Sequence, residues 1–285
     1  MSSSDKLETF PVTTRSLEYS DTLVRHRRPS FYDLLCINKK FLVYNLVMRN
    51  LKLRYRKSFF GFFWTILIPA VNALVYYVVF QFVMRVQIPN YLLFILSGLI
   101  PWTFFSSAIL SSMESLVANH SILNKVPIPP YAFPFAEILT CLINFLGALP
   151  VLVIVALLHP FAIDWTVVLF PIPIVLLALQ AYGVGLILAY GNVYFRDLRH
   201  VMVILIQIWF YATPIIYAPS MIPERYRFLM YFNPVGHLFE SLHGYMMGYP
   251  FEANWLIVPP LWTLVIIGLG FLSVRRWNAL VVESV

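Results

Sequence analysis

The stretch Asn50–Ala70, NLKLRYRKSFFGFFWTILIPA, changes character at Ser58. Before it, Lys52, Arg54, Arg56 and Lys57 crowd into six residues; after it, only Gly61, Thr65 and Pro69 interrupt an apolar and aromatic run. Three kinds of protein fuse a cationic segment to such a run: one with a nucleic-acid-binding arm, one with a signal peptide, and one whose first membrane span starts there.

Composition separates them. The chain is 60% hydrophobic and 12% charged, against about 25% charged in soluble domains, so an integral membrane protein is expected. The net charge of +7 is then read by position and not as a sign of nucleic acid, because nothing soluble follows the basic run that would form a reading domain. A signal peptide is disfavoured too. The first 57 residues are too long and polar for its basic region, and Phe59–Met84 is too long for its apolar core. Cys36 and Cys141 are far apart and fit no zinc or redox spacing.

Upstream of Ser58, residues 1–32 are polar and read as a tail. From Asp33, the residues Leu34, Ile37, Phe41, Tyr44, Met48, Leu51 and Tyr55 recur at spacings of three and four. They form one stripe of an amphipathic helix over 33–58, with Lys39, Lys40, Arg49, Arg54 and Lys57 outside the stripe. Such a helix is expected to lie along a membrane surface.

Downstream come six apolar segments: Gly61–Met84, Tyr91–Met113, Phe135–Leu158, Trp165–Tyr190, Val201–Tyr217 and Trp255–Val274. Each approaches or exceeds the ~20 residues that span a bilayer as a helix. The expected fold is therefore all-α and integral to the membrane, with a six-helix domain over 59–285. Of the 20 Lys and Arg residues, Arg85, Arg225 and Arg227 fall on one side. The rest, twelve of them within residues 1–57, fall on the other, which places both termini in the cytoplasm.

No lysine follows a glycine-rich turn that would cradle phosphates. If ATP drives this chain, another chain binds it. No carboxylate or histidine is expected mid-membrane, as an ion-coupled carrier would need. In HLFESLH, His237, Glu240 and His243 drift around a helix and do not form the H-E-x-x-H zinc pattern. No catalytic or metal-binding residue is assigned. The segment 218–254 is too apolar for a free loop, and Pro223, Pro234, Pro250, Gly236, Gly244 and Gly248 divide it. Short re-entrant helices capping a pathway are expected there. The loop 114–134 starts as a helix and stops at VPIPP, Val126–Pro130.

Four stretches carry a family resemblance: RNLKLRYRKSFFGFFWTILIPA (Arg49–Ala70), GLIPWTFFSSAI (Gly98–Ile109), NVYFRDLRHVMVILIQIWFYATPIIY (Asn192–Tyr217) and YFNPVGHLFESLHGYMMG (Tyr231–Gly248). With them the chain resembles the transmembrane subunit of ABC-2-type exporters, in particular polysaccharide export permeases of the O-antigen, capsule and teichoic-acid kind. The resemblance implies a homodimer in the bacterial inner membrane and two copies of a separate ATPase carrying Mg-ATP, with no cofactor in this chain. The cargo it implies is a lipid-linked polysaccharide.

It further implies roles for individual residues. Lys52, Arg54, Arg56 and Lys57 would meet lipid headgroups where the carrier is admitted. Ser121, Ile122, Leu123, Asn124 and Lys125 would couple to the ATPase. Asn233, Pro234, His237, Glu240 and His243 would belong to the outer gate. Phe60, Trp64, Tyr76, Tyr77, Trp102, Phe105, Trp209 and Tyr211 would line the channel. Arg196 and Arg199 would face the ATPase or headgroups, or Arg196 would pair locally with Asp197. Many relatives carry an arginine shortly after the NP of the gate segment, where this chain has HLFESLHGY. Competing readings are an ABC-2 exporter of lipids or drugs, and an integral-membrane glycan or lipid transferase.

Overall fold

The computed structural model describes residues 36, 39–56, 58–126, 128–158, 165–195, 197–250 and 252–284; beyond Trp277 only the backbone is described. The tail 1–32, Lys57, Arg196 and the loop 159–164 lie outside the described residues. Those described are helical with no strand among them.

The helix along the expected surface is α1, Lys40–Tyr55. It stops because Arg56 turns extended, with ψ 126°. The corner that follows is tied by the Gly61 N–H donating to Ser58 Oγ at 3.1 Å. Gly61 sits at φ +48°, a conformation that a side chain would strain. A 3-10 turn, Gly61–Phe63, leads into α2, Trp64–Tyr77, which widens into a π-helical end at Val78–Val83. Then come α3, Tyr91–Ala118, a one-turn helix α4, His120–Leu123, and α5, Ala132–Leu158. A 3-10 turn at Trp165–Leu169 precedes α6, Pro171–Tyr194, and α7 runs Leu198–Ala212. The segment after it forms a 3-10 turn, Pro219–Met221, then α8, Glu224–Arg227, α9, Leu229–Phe232, and α10, Gly236–Met247. The last helix is α11, Asn254–Ser284.

Among the described residues, five stretches are long and apolar enough to cross a membrane: Gly61–Val83, Tyr91–Ala118, Ala132–Leu158, Thr166–Tyr194 and Asn254–Trp277. The fifth segment of the sequence reading, Val201–Tyr217, is present as a shorter apolar helix: it is α7, which starts at Leu198 and ends at Ala212. Fifteen residues at 1.5 Å rise reach about 22 Å, short of a hydrocarbon core of about 30 Å. The cause is local: Pro214 pushes Thr213 to an extended conformation, φ −108° and ψ 138°.

α3 is the centre of the bundle. In its apolar window 78% of residues are buried, against 11% in the first span. It packs on α2, α5, α6, α7 and α10, and α6 packs on α11. The α6–α11 crossing depends on glycine. A Cβ on Gly183 would stand 2.8 Å from the Ile266 carbonyl oxygen, and one on Gly270 would stand 2.8 Å from the Gly183 carbonyl oxygen. Small residues let helix backbones approach where apolar burial no longer drives association. Gly244, expected to break its helix, lies within α10, where the Trp255 ring occupies the space a Cβ would need.

Gly183→Leu is expected to force the α6–α11 pair apart and to lower the detergent-solubilised protein's thermal midpoint by several degrees, from an overpacking cost of about 1–3 kcal/mol. An unchanged melting curve would refute the close crossing.

Candidate functional site

The stripe read from sequence is not the face that α1 turns to the bundle. Phe41 and Tyr44 are 79% and 61% exposed, while Val43, Leu46 and Val47 pack inward, against α5. Polar side chains share this seam. Arg49 Nη2 donates to Asn119 Oδ1 at 2.6 Å and to Asn50 Oδ1 at 3.0 Å. Asn50 Nδ2 donates to Glu137 Oε1 at 2.8 Å, and the Tyr55 hydroxyl donates to Asn144 Oδ1 at 2.8 Å. Burial draws the Arg49 guanidinium below its ordinary value against the opposing pull of Glu137. Burial also raises the Tyr55 phenol, which keeps its proton.

The basic cluster divides here. Arg54 reaches inward, donating to Ser111 Oγ at 3.1 Å, with Cys141 Sγ at 3.8 Å. Lys52 and Arg56 stay on the outward face of α1, beside Asn45 and Met48. Beneath the α1–α2 corner a cleft of about 310 Å³ is lined by Arg54, Ser58, Trp64, Thr103, Ser107 and Asn144. A guanidinium, hydroxyls and an amide thus stand at the head of an otherwise apolar groove. This arrangement suits an amphiphile with an anionic or hydroxylated head.

The turn expected to meet a partner begins where Asn119 ends α3. In α4 and after it, Ser121, Asn124 and Lys125 are exposed, Leu123 is buried and Ile122 lies between. Arg49 therefore links α1 directly to this turn. Nearby, Arg199 Nε pairs with Glu114 Oε1 at 2.8 Å; at that exposure it is a weak tie.

The eight aromatics named from sequence do not share one surface. Phe60, Trp64 and Tyr211 are exposed, and Tyr76, Tyr77 and Trp209 are half-buried. Trp102 and Phe105 are buried within the chain, 6% and 1% exposed. The Trp102 ring packs on Phe105, Trp209, Phe210 and Phe239 with centroids 5.6 to 6.4 Å apart. In the single chain these two are core residues standing behind the wall.

At the other end of the bundle, the break in α7 frees backbone carbonyls, and side chains satisfy them. Asn233 Nδ2 donates to the Ala212 carbonyl at 3.2 Å and to Thr213 Oγ1 at 3.0 Å, while its Oδ1 accepts from Trp209 Nε1 at 2.9 Å. The Tyr91 hydroxyl donates to the Ile216 carbonyl at 2.7 Å. His243 Nε2 lies 3.0 Å from the Pro214 carbonyl, and its Nδ1 lies 2.8 Å from Ser97 Oγ. A carbonyl only accepts, so the neutral ring carries its proton on Nε2. The ring stacks on Phe94 at 3.9 Å, in space that a Cβ on Gly98 would invade. Pro234 presents its carbonyl to Gln180 Nε2 at 3.2 Å, and Gln180 also reaches Thr263 at 3.1 Å.

The three titratable residues of HLFESLH thus have different partners, though all three border one cavity. His243 is a buried rivet. His237 and Glu240 pair, Nδ1 to Oε2 at 2.9 Å, and line a cavity of about 490 Å³. Among the described residues no three His, Cys, Asp or Glu side chains form a group suited to a metal ion. Sequence reading missed Ser97, Asn144 and Gln180. Their signal was present as lone polar residues inside apolar spans, where each must find a partner.

The profile of the ABC-2 type transporter family matches residues 42–247. The chain belongs to this family. It is similar to an O-antigen export system permease protein, RfbA, of Klebsiella pneumoniae, 34% identical over 214 residues, 74% of this chain and 78% of the relative. A protein of the same name in Myxococcus xanthus is 39% identical over 202 residues, 70% and 78% of the two chains. The polysialic acid transport protein KpsM of Escherichia coli is 27% identical over 244 residues, 83% and 93%. As an ABC-2 family member the chain is a multi-pass membrane protein, and the α1 seam, the α7 break and α10 up to Met247 all lie within the matched region.

The seam yields a direct test. In a double-mutant cycle of Asn50→Leu with Glu137→Leu, a coupling energy of about 1–3 kcal/mol is expected from denaturation in detergent, as for a hydrogen bond to a charged group. Additive single effects would mean that the bond contributes nothing.

Proposed function

We propose that this chain is the transmembrane subunit of an ATP-driven exporter that moves a lipid-linked polysaccharide, of O-antigen or capsular type, across the bacterial inner membrane. The observation that carries this reading is the 34% and 39% identity, over at least 70% of the chain, with permeases named for O-antigen export. The chain works as a homodimer with two copies of a separate ATPase, which holds Mg-ATP. It supplies no catalytic group to hydrolysis. Both termini face the cytoplasm, as the Lys and Arg distribution argues, so 218–254 faces outward.

The geometry suggests how such a subunit works. The turn from Asn119 to Lys125 offers exposed polar groups to the ATPase. Displacement of that turn reaches α1 through the Arg49–Asn119 bond of 2.6 Å, and α1 roofs the cleft over Arg54 and Trp64. The carrier's anionic head is drawn to Lys52 and Arg56 on the surface and received by Arg54 inside. The polymer then follows between protomers, and the re-entrant segment opens last.

Reversing Arg54 tests this order. Arg54→Glu sets a new carboxylate against Glu137 and is expected to lower surface polysaccharide at least about tenfold, whereas Arg56→Glu, in solvent, lowers it severalfold. Immunoblots of the membrane and surface glycan assays provide the readout. Equal surface glycan in both variants and the wild type would remove α1 from the admission path. Cells lacking the chain that still export their glycan while losing a lipid or drug export activity would replace the substrate assignment.

A further inference from the structure

The cavity lined by His237 and Glu240 lies under the segment that follows the α7 break. Its polar lining comes from Arg227, Tyr231, His237, Glu240, Glu252 and Asn254. At about 490 Å³ it falls within the ~300–1,000 Å³ of sites that hold small organic ligands.

His237 is the informative member. Its side chain is 6% exposed, and its Nδ1 donates to Glu240 Oε2 at 2.9 Å. That bond fixes the tautomer and leaves Nε2 with a lone pair. Nε2 is buried and has no hydrogen-bond partner. A buried acceptor without a partner costs stability unless a ligand donor completes it. The carboxylate behind the ring also fixes its orientation, as it does for imidazoles that receive a ligand.

The remaining lining indicates what the ligand is. The Tyr231 ring stands 4.9 Å from the His237 ring, edge to face. Its hydroxyl accepts from Asn254 Nδ2 at 3.2 Å. Tyr249 and Trp255 add further ring surface. Arg227 spends its Nε on the Ile222 carbonyl at 3.2 Å. The two carboxylates, Glu240 and Glu252, outnumber this one cation. Ring surfaces beside mixed donors and acceptors match the apolar face and hydroxyl rim of a sugar. A local excess of negative charge disfavours polyanions.

We propose that this cavity is a saccharide subsite at the outer end of the export path, in which a sugar hydroxyl donates to His237 Nε2, and that it selects neutral over acidic glycans. This rests on the polysaccharide-export reading and narrows its substrate class. The assignment also sets the chain apart from its more distant relative named for polysialic acid, an acidic polymer.

The test uses the assembled complex of this chain with its ATPase in lipid nanodiscs. The probes are short oligosaccharides cut from the delipidated surface polysaccharide of the producing cells, with polysialic acid oligomers as the acidic comparison; binding is measured by calorimetry. The wild-type complex is expected to bind the cells' own oligosaccharides and not the polysialic acid. His237→Leu and Glu240→Gln are each expected to weaken binding by about tenfold or more. Asn254→Ala, which leaves the His–Glu pair itself in place, supplies the answer if His237→Leu fails to assemble; it is expected to weaken binding severalfold. Unaltered binding in these variants, tighter binding of polysialic acid, or no binding of the native oligosaccharides would each overturn the subsite. Surface glycan in cells deleted for the chain separates the two claims. Loss of glycan on deletion with unaltered oligosaccharide binding in the variants rejects the subsite alone. Glycan that persists on deletion rejects the export reading itself.

Discussion

The carbonyls freed at Thr213–Pro214 determine the architecture of one whole end of this molecule. In hydrocarbon a backbone group without a partner costs several kcal/mol, so a helix broken inside the membrane region must be completed by its neighbours. Asn233, His243 and Tyr91 supply those partners to Ala212, Pro214 and Ile216. Two of the three belong to the segment after the break, and the third opens α3. The segment is therefore folded inward against the central helix, where its side chains complete the break it follows.

The opposite end is governed by the same rule at a different depth. Arg49, Asn50 and Tyr55 on α1 meet Asn119, Glu137 and Asn144 on α3 and α5. These polar groups sit where a surface helix presses on the ends of spans. Each residue makes at least one side-chain hydrogen bond, and together they hold α1 in one register over the cleft. Between the two ends, α3 is the most deeply buried of the apolar spans. The outer faces of α2 and α7 present Leu74, Val75, Ile204 and Ile208 to lipid or to a second copy.

Much of the fold was legible in advance because its signals are local. Apolar length located all six segments, five as full spans and one as the shorter α7, and proline with glycine marked the region 218–254 as a chain of short helices. Errors arose where tertiary partners decide the outcome. The truncation of α7 was written in Thr213–Pro214, yet the apolar residues Ile215 and Ile216 concealed it within an unbroken hydrophobic run. The stripe containing Phe41 and Tyr44 did not reveal that Val43, Leu46 and Val47 form the face of α1 packed inward. Arg54 looked like its basic neighbours and is turned inward by Ser111 and Cys141, dozens of residues away. In HLFESLH the spacing could not reveal that His243 is claimed by Ser97 and Pro214 while His237 keeps a free nitrogen.

The central claim is that this chain conducts a lipid-linked glycan and supplies no hydrolytic chemistry of its own. The most direct measurement is ATP-dependent translocation in proteoliposomes that contain this chain, its ATPase and the radiolabelled glycolipid of the producing cells. Protection of the glycan from an added glycosidase reports its side. The account predicts movement only when both proteins and Mg-ATP are present, and no ATP hydrolysis by this chain alone. Glycolipid that moves without the chain, or ATP hydrolysis by the chain in isolation, would contradict it.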